Sequence, residues 1–184
     1  MPSAVDISSV VGLCAVGILT ANILLGLLIS TGYNPRRRWP RRRIKLFTLH
    51  NWTGYTALAV VVVHAGLLPF ASSPKFRVLD VLAPVDSPSQ PVVNTIGAVA
   101  LYLVAFAVMT SYFRRVFGFH RWKQLHYTTY AAAAVFFVHG ILSDPLLQNR
   151  PVDWIDAEKV FVEGCAVAVT SATLWRVTAR RRRW

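Results

Sequence analysis

Four histidines lie inside apolar stretches of the chain: His50, His64, His126 and His139. A neutral imidazole can give one nitrogen lone pair to a metal while its other nitrogen donates to a neighbour. In lipid an unpartnered imidazole is costly, so each of the four is a candidate ligand. Taken singly, each is explained as well by an ordinary hydrogen bond. The spacing narrows the choice. His50 and His64 are fourteen residues apart, which on a helix is roughly 21 Å along the axis and only about 40° in direction. His126 and His139 are thirteen apart, about 140° on an ideal helix. Either that helix is locally distorted or the two centres meet it from different sides.

These residues must be positioned by membrane helices. The sequence is 54% hydrophobic over 184 residues, and long stretches without Asp, Glu, Lys or Arg precede Arg36, Lys75, Arg114 and Asp144. Each is long enough to span a bilayer. A weaker fifth stretch holds Glu163 near its start. The expectation is an all-α integral membrane protein, a single domain over 1–184 with five spans at about 10–31, 47–69, 93–113, 124–142 and 160–177. The net charge of +12 is concentrated in Arg36–Lys45, Arg114–Lys123 and Arg176–Arg183, all on one side of a five-span chain. The positive-inside rule puts that side in the cytoplasm, the N-terminus outside and the C-terminus inside, in the cell (inner) membrane. The basic runs hug the spans, which suits contact with anionic lipids and argues against nucleic acid.

In this topology the second and fourth spans run the same way. His50 and His126 then lie near the inner surface, with His64 and His139 roughly 20 Å further out. Each level pair can bind one iron from both sides, as a six-coordinate haem b requires. Zinc prefers four tetrahedral ligands, and no Cys, Asp or Glu accompanies the pairs at their depths. Copper lacks Met or Cys nearby.

Around the pairs, Gly54, Gly66 and Gly140 would leave room for a flat macrocycle, or would only allow close helix packing. Arg114, Arg115, Arg121 and Lys123 are candidates to neutralise inner propionates, and Lys75 or Arg77 outer ones. The third span has no histidine, so its expected role is packing; the first carries small residues, including Gly12, Gly17 and Gly26, that favour close approach. Residues 71–91 form a proline-rich outer loop able to cover an outer site. His120 reads as an interfacial residue. Glu163 is either a proton-handling group or a side chain reaching the outer surface. Cys14 and Cys165 read as small buried residues rather than a disulfide. The first span lacks the basic start of a cleaved signal and is expected to remain as an anchor.

The fourteen and thirteen spacings, with Arg121-Trp-Lys-Gln-Leu-His126 leading into the second pair, resemble the ferric reductase-like transmembrane domain. That superfamily includes NADPH oxidases, ferric reductases and the haem-binding subunit of the bacterial methionine sulfoxide reductase system. The resemblance covers roughly residues 40–178. It implies two stacked b haems, the inner held by His50 and His126 and the outer by His64 and His139, passing electrons across the membrane. The family's oxidases continue into a cytoplasmic flavin and nicotinamide domain, and its six-span members have a further first helix. The chain ends at Trp184, so autonomous NADPH oxidation is not expected.

The functional expectation is a di-haem cytochrome b acting as the electron-transfer subunit of a larger redox system. Its donor would be quinol or a soluble flavoprotein, its acceptor an extracytoplasmic partner. The rival is a non-catalytic packing or assembly subunit whose histidines bind neighbouring helices. An ion transporter would need carboxylates along a path, and the spans offer only Glu163.

Overall fold

The computed structural model describes residues 3–31, 45–144 and 153–181, the side chains of the last stretch as far as Thr178. The basic run 36–43, most of the loop 143–156, and Arg182, Arg183 and Trp184 lie outside the described residues. Seven α-helices are described: α1 Ala4–Ser30, α2 Leu46–Gly66, α3 Val78–Leu82, α4 Pro91–Tyr112, α5 Arg114–His126, α6 Thr128–Leu142 and α7 Ala157–Arg181. Four are long and apolar enough to cross a membrane, and α5 with α6, a bent pair, makes a fifth if the two count as one span. The protein is a multi-pass, all-helical integral membrane protein. Large apolar side chains such as Val63, Phe106, Val167 and Leu174 point outward, as a lipid-facing surface requires.

Two helix boundaries differ from the sequence reading for local reasons. α1 starts at Ala4 because Ser3 and Asp6 close a capping box: Asp6 N–H donates to Ser3 Oγ (3.1 Å) and Ser3 N–H to Asp6 Oδ2 (2.8 Å). The Ser-x-x-Asp pattern is a start signal legible in the sequence. The stretch 113–124, read as a loop, is helical and bent at Gly118. Its φ of 70° and ψ of 162° belong to a region that only glycine enters easily.

The fourth span is the distorted helix that the thirteen-residue spacing left open. α5 and α6 meet at a 41° bend centred on Tyr127, immediately after His126. Just past the break, Thr128 and Thr129 donate their hydroxyls to the carbonyls of Leu125 and His126 (2.7 Å each). Hydroxyls that bond back in this way bend helices.

α1 packs chiefly on α2 and α7, and α4 on α6. Between these groups lies a buried apolar core of Leu19, Ala57, Ala100, Val104, Ala132, Phe136 and Val162, among others. On the side of His64 and His139, the segment from Ala71 to Gln90 folds back over the helix ends. Within it Arg77 caps the start of α3, donating to the Asp80 carboxylate from its backbone N–H (2.8 Å) and from Nη2 (2.9 Å). Gln90 exchanges two hydrogen bonds with the backbone of Asp144 (2.9 Å each), and Tyr102 donates its hydroxyl to the Leu82 carbonyl.

The Arg77 guanidinium, and then its backbone N–H, hold the Asp80 carboxyl below its ordinary value of 3.8. A depressed carboxyl contributes stability that is present above the unfolded pKa and lost as pH falls through the folded one. Protection of amides 78–82 against hydrogen exchange is therefore expected to drop below about pH 3.8. Asp80→Asn is expected to lose the same protection at neutral pH; equal protection in both proteins would mean that the Arg77–Asp80 cap does not hold α3.

Candidate haem sites

The four intramembrane histidines come together as two pairs. His50 faces His126 with ring centroids 6.2 Å apart and planes at 82°. His64 faces His139 at 6.4 Å and 68°. Each pair borders its own cavity, and Leu19, Val104 and Phe136 line both.

Three of the four rings are seated by one device. His64 Nδ1 donates to the Ser8 carbonyl (2.8 Å), His50 Nδ1 to the Asn22 carbonyl (3.0 Å) and His139 Nδ1 to the Val93 carbonyl (2.9 Å). Four residues beyond each carbonyl stands a glycine, Gly12, Gly26 or Gly97. A Cβ built on it would lie 2.9, 3.1 or 2.6 Å from the same imidazole's Cε1. The missing side chain lets the ring lie against the helix and reach a carbonyl already used in the helical ladder. Because a carbonyl only accepts, the proton sits on Nδ1 and the Nε2 lone pair is free.

The spacings agree. Gly12 and Gly26 are fourteen apart, like His64 and His50 on the antiparallel α2. Gly97 and Ser111 on α4 are also fourteen apart, facing a histidine spacing of thirteen that the break at Tyr127 accommodates. The matching spacing on α1 was legible in the sequence, where these glycines read only as packing residues. α4, read as packing alone, seats both His126 and His139.

His126 is the exception. Its Nδ1 lies 3.2 Å from Ser111 Oγ, which also accepts from Trp122 Nε1 (3.4 Å). The Trp122 ring stacks on His126 at 5.2 Å and 27°.

The other residues singled out in the sequence divide. Gly54, Arg114 and Lys123 line the cavity between His50 and His126; Gly54 faces the Asn22 amide at 3.4 Å from a built Cβ, and Arg114 lies over the Phe47 ring at 4.5 Å. Arg115 and Arg121 have exposed side chains and are not among the lining residues. Arg121 lies about 200° around the helix from Lys123. At the other cavity Arg77 is committed to Asp80 and Lys75 is exposed. The cation lining it is instead Lys159, 5% exposed, whose Nζ donates to the carbonyls of Gly140 and Ser143 at the end of α6. Asp80, Val81 and Pro84 of the folded-back segment also line this cavity. Gly140 packs on Val162 and Gly66 faces open space. Glu163 is half-buried and lines neither cavity, His120 is exposed, and the two cysteines are free thiols but not the buried residues expected, Cys14 being exposed and Cys165 half-buried.

The sequence pattern of the family described as "Ferric reductase like transmembrane component" matches residues 11–137, well over half the chain. The chain belongs to that family. Members of the ferric reductase-like family are typically haem-containing electron-transfer proteins of the membrane. The match starts inside α1, so the first span, which the sequence reading left outside the resemblance, belongs to the family's region. It takes in His50, His64 and His126 and stops two residues before His139. No curated protein and no solved structure gives a significant match.

The residues present fit a haem. Metal–nitrogen bonds of about 2 Å on both sides, plus about 1 Å from each nitrogen to its ring centre, place two axial imidazole centroids about 6 Å apart. The observed 6.2 and 6.4 Å agree. Among the described residues no three His, Cys, Asp or Glu side chains converge on one point, which leaves a tetrahedral zinc site without its ligands.

Proposed function

We propose that the protein is a two-haem membrane cytochrome b that carries electrons from one membrane face to the other as a subunit of a larger redox system. The observation that carries this reading is the pair of facing imidazoles at two levels, three of them with Nδ1 tied to a backbone carbonyl. His50 and His126 hold the inner haem, His64 and His139 the outer. Bound there, b haem supplies one-electron carriage.

The chain's own residues do the rest. The Ser8, Asn22 and Val93 carbonyls fix tautomer and ring orientation and make the imidazoles more basic, as hydrogen-bonded partners of metal-binding histidines do. Leu19, Val104 and Phe136, each at most 9% exposed, keep the layer between the sites dry. Trp122 and Phe119 line the inner cavity and offer an aromatic edge toward the basic face, where a flavoprotein or quinol would deliver electrons. Among the described residues Arg114, Lys123 and Arg176 place positive charge at that cavity, in keeping with a cytoplasmic inner face and anionic lipid. The segment 71–90 covers the outer site, where the acceptor docks.

The test is a reduced-minus-oxidised spectrum of the purified protein with a pyridine haemochrome count. The expected result is two low-spin b haems per chain. Protein made with ample haem that binds none would leave the packing-subunit reading, with its histidines acting as hydrogen-bonders.

A further inference from the structure

Arg176 lies on α7 and opens the basic run that the sequence explains as an inner-side topology signal and a contact for anionic lipid. Its place in the structure is different. It lines the inner cavity with His50 and His126, and its Nη1 donates to the Tyr130 hydroxyl. Its Nε is buried and has no hydrogen-bond partner. Among the described residues only Thr20 also leaves a buried side-chain polar atom unmet, and Thr20 is uncharged.

A half-buried guanidinium whose Nε donor is buried and unused calls for an anion, because a buried donor of a cation left unmet is costly. Among the described residues no acidic side chain pairs with it. The one ion pair among the described residues is Arg77 with Asp80, and the nearest acid on α7, Glu163, is thirteen residues back, roughly 20 Å along the helix. The other cations at this cavity are differently engaged: Arg114 lies over Phe47, and Lys123 is exposed beside Phe119. The planar donor fork of arginine matches a carboxylate edge on.

We propose that Arg176, oriented by Tyr130, is the carboxylate anchor of the inner site and receives a propionate of the haem held by His50 and His126. This rests on the two-haem reading above. An anionic lipid phosphate is the other source of such an anion, and the test separates the two.

The midpoint potential of each haem is measured in lipid-free non-ionic detergent, for the wild-type protein and for Arg176→Gln. Loss of the positive charge leaves the propionate uncompensated and disfavours the added electron. The inner haem is expected to become about tenfold harder to reduce, a fall of about 59 mV for one electron. The outer haem should be unchanged. Placing Arg176→Gln in a His139→Ala background, which retains the inner haem alone, identifies the site that moves; in a His126→Ala background no shift is expected. Arg176→Lys keeps the charge without the fork and should shift less; it carries the comparison if Arg176→Gln does not accumulate.

Unchanged potentials in a protein with two haems overturn the anchor and leave the two-haem reading standing. So does a shift confined to the outer haem. A shift that appears only after phosphatidylglycerol is added assigns Arg176 to lipid phosphate instead. Wild-type protein with no haem sinks the two-haem reading, and the anchor with it.

Discussion

Replacing His139 by alanine is expected to leave one haem per chain where the wild-type protein carries two. The ring faces His64 at a centroid distance of 6.4 Å, and no other His, Cys, Asp or Glu among the described residues converges there to take its place. His64→Ala should give the same loss, and the double variant no more than either single one, because both side chains act on one group. The inner haem should remain, since Leu19, Val104 and Phe136 stand between the cavities. The lost bond from Nδ1 to the Val93 carbonyl costs about 1 kcal/mol, too little to unfold a helix bundle of this size. A pyridine haemochrome count on the three variants reads the result. Two low-spin haems retained in His139→Ala would remove this residue from the ligand set.

A single methyl at Gly97 should act almost as strongly. Its Cβ would lie 2.6 Å from Cε1, 2.9 Å from Nδ1 and 3.0 Å from Nε2 of His139, well inside contact distance. The imidazole cannot yield without giving up the Val93 carbonyl that orients it. Displaced support of this kind weakens metal sites about 10–100-fold, so Gly97→Ala should lose most of its outer haem on purification. Gly12→Ala, at 2.9 Å from His64, should be milder, and Gly26→Ala, at 3.1 Å from His50, milder still and at the inner site. Gly66→Ala is the control, with no atom within 4 Å. Haem retention through a column, with the low-spin electron paramagnetic resonance signal of each site, ranks the four. If Gly97→Ala and Gly66→Ala retain haem equally, the glycines do not seat the rings.

The sequence by itself determined the solvent and the division of the chain. Uncharged stretches of membrane length mark helices, because a spanning segment must satisfy its own backbone and exclude charge. That signal is local, so it survives without any tertiary information, and four span-length helices and one bent helix pair stand where the five stretches were read. The same holds for the candidate ligands: an imidazole in lipid is conspicuous wherever it falls, and the fourteen-residue spacing fixes two depths on one helix. The thirteen-residue spacing left a distorted helix as one of two alternatives, and did not place it at Tyr127, where hydroxyls donating back to carbonyls bend the chain.

What only the tertiary structure decided is what each ring leans on. Gly12, Gly26 and Gly97 are unremarkable in a membrane sequence full of small residues. Their role depends on which antiparallel helix lies alongside, at what register, and that is settled by packing across the core. The same is true of charge. Arg115 and Arg121 look equivalent to Arg114 and Lys123 in the sequence, yet only Arg114 and Lys123 line the cavity between His50 and His126. Arg176 reads as one of a terminal basic run, and Lys159 attracts no reading at all, until α7 is placed against α1 and α6. Only then do they line the cavities beside the histidine pairs. A residue's type states which bonds it can make; its neighbours across the bundle decide which of them it makes.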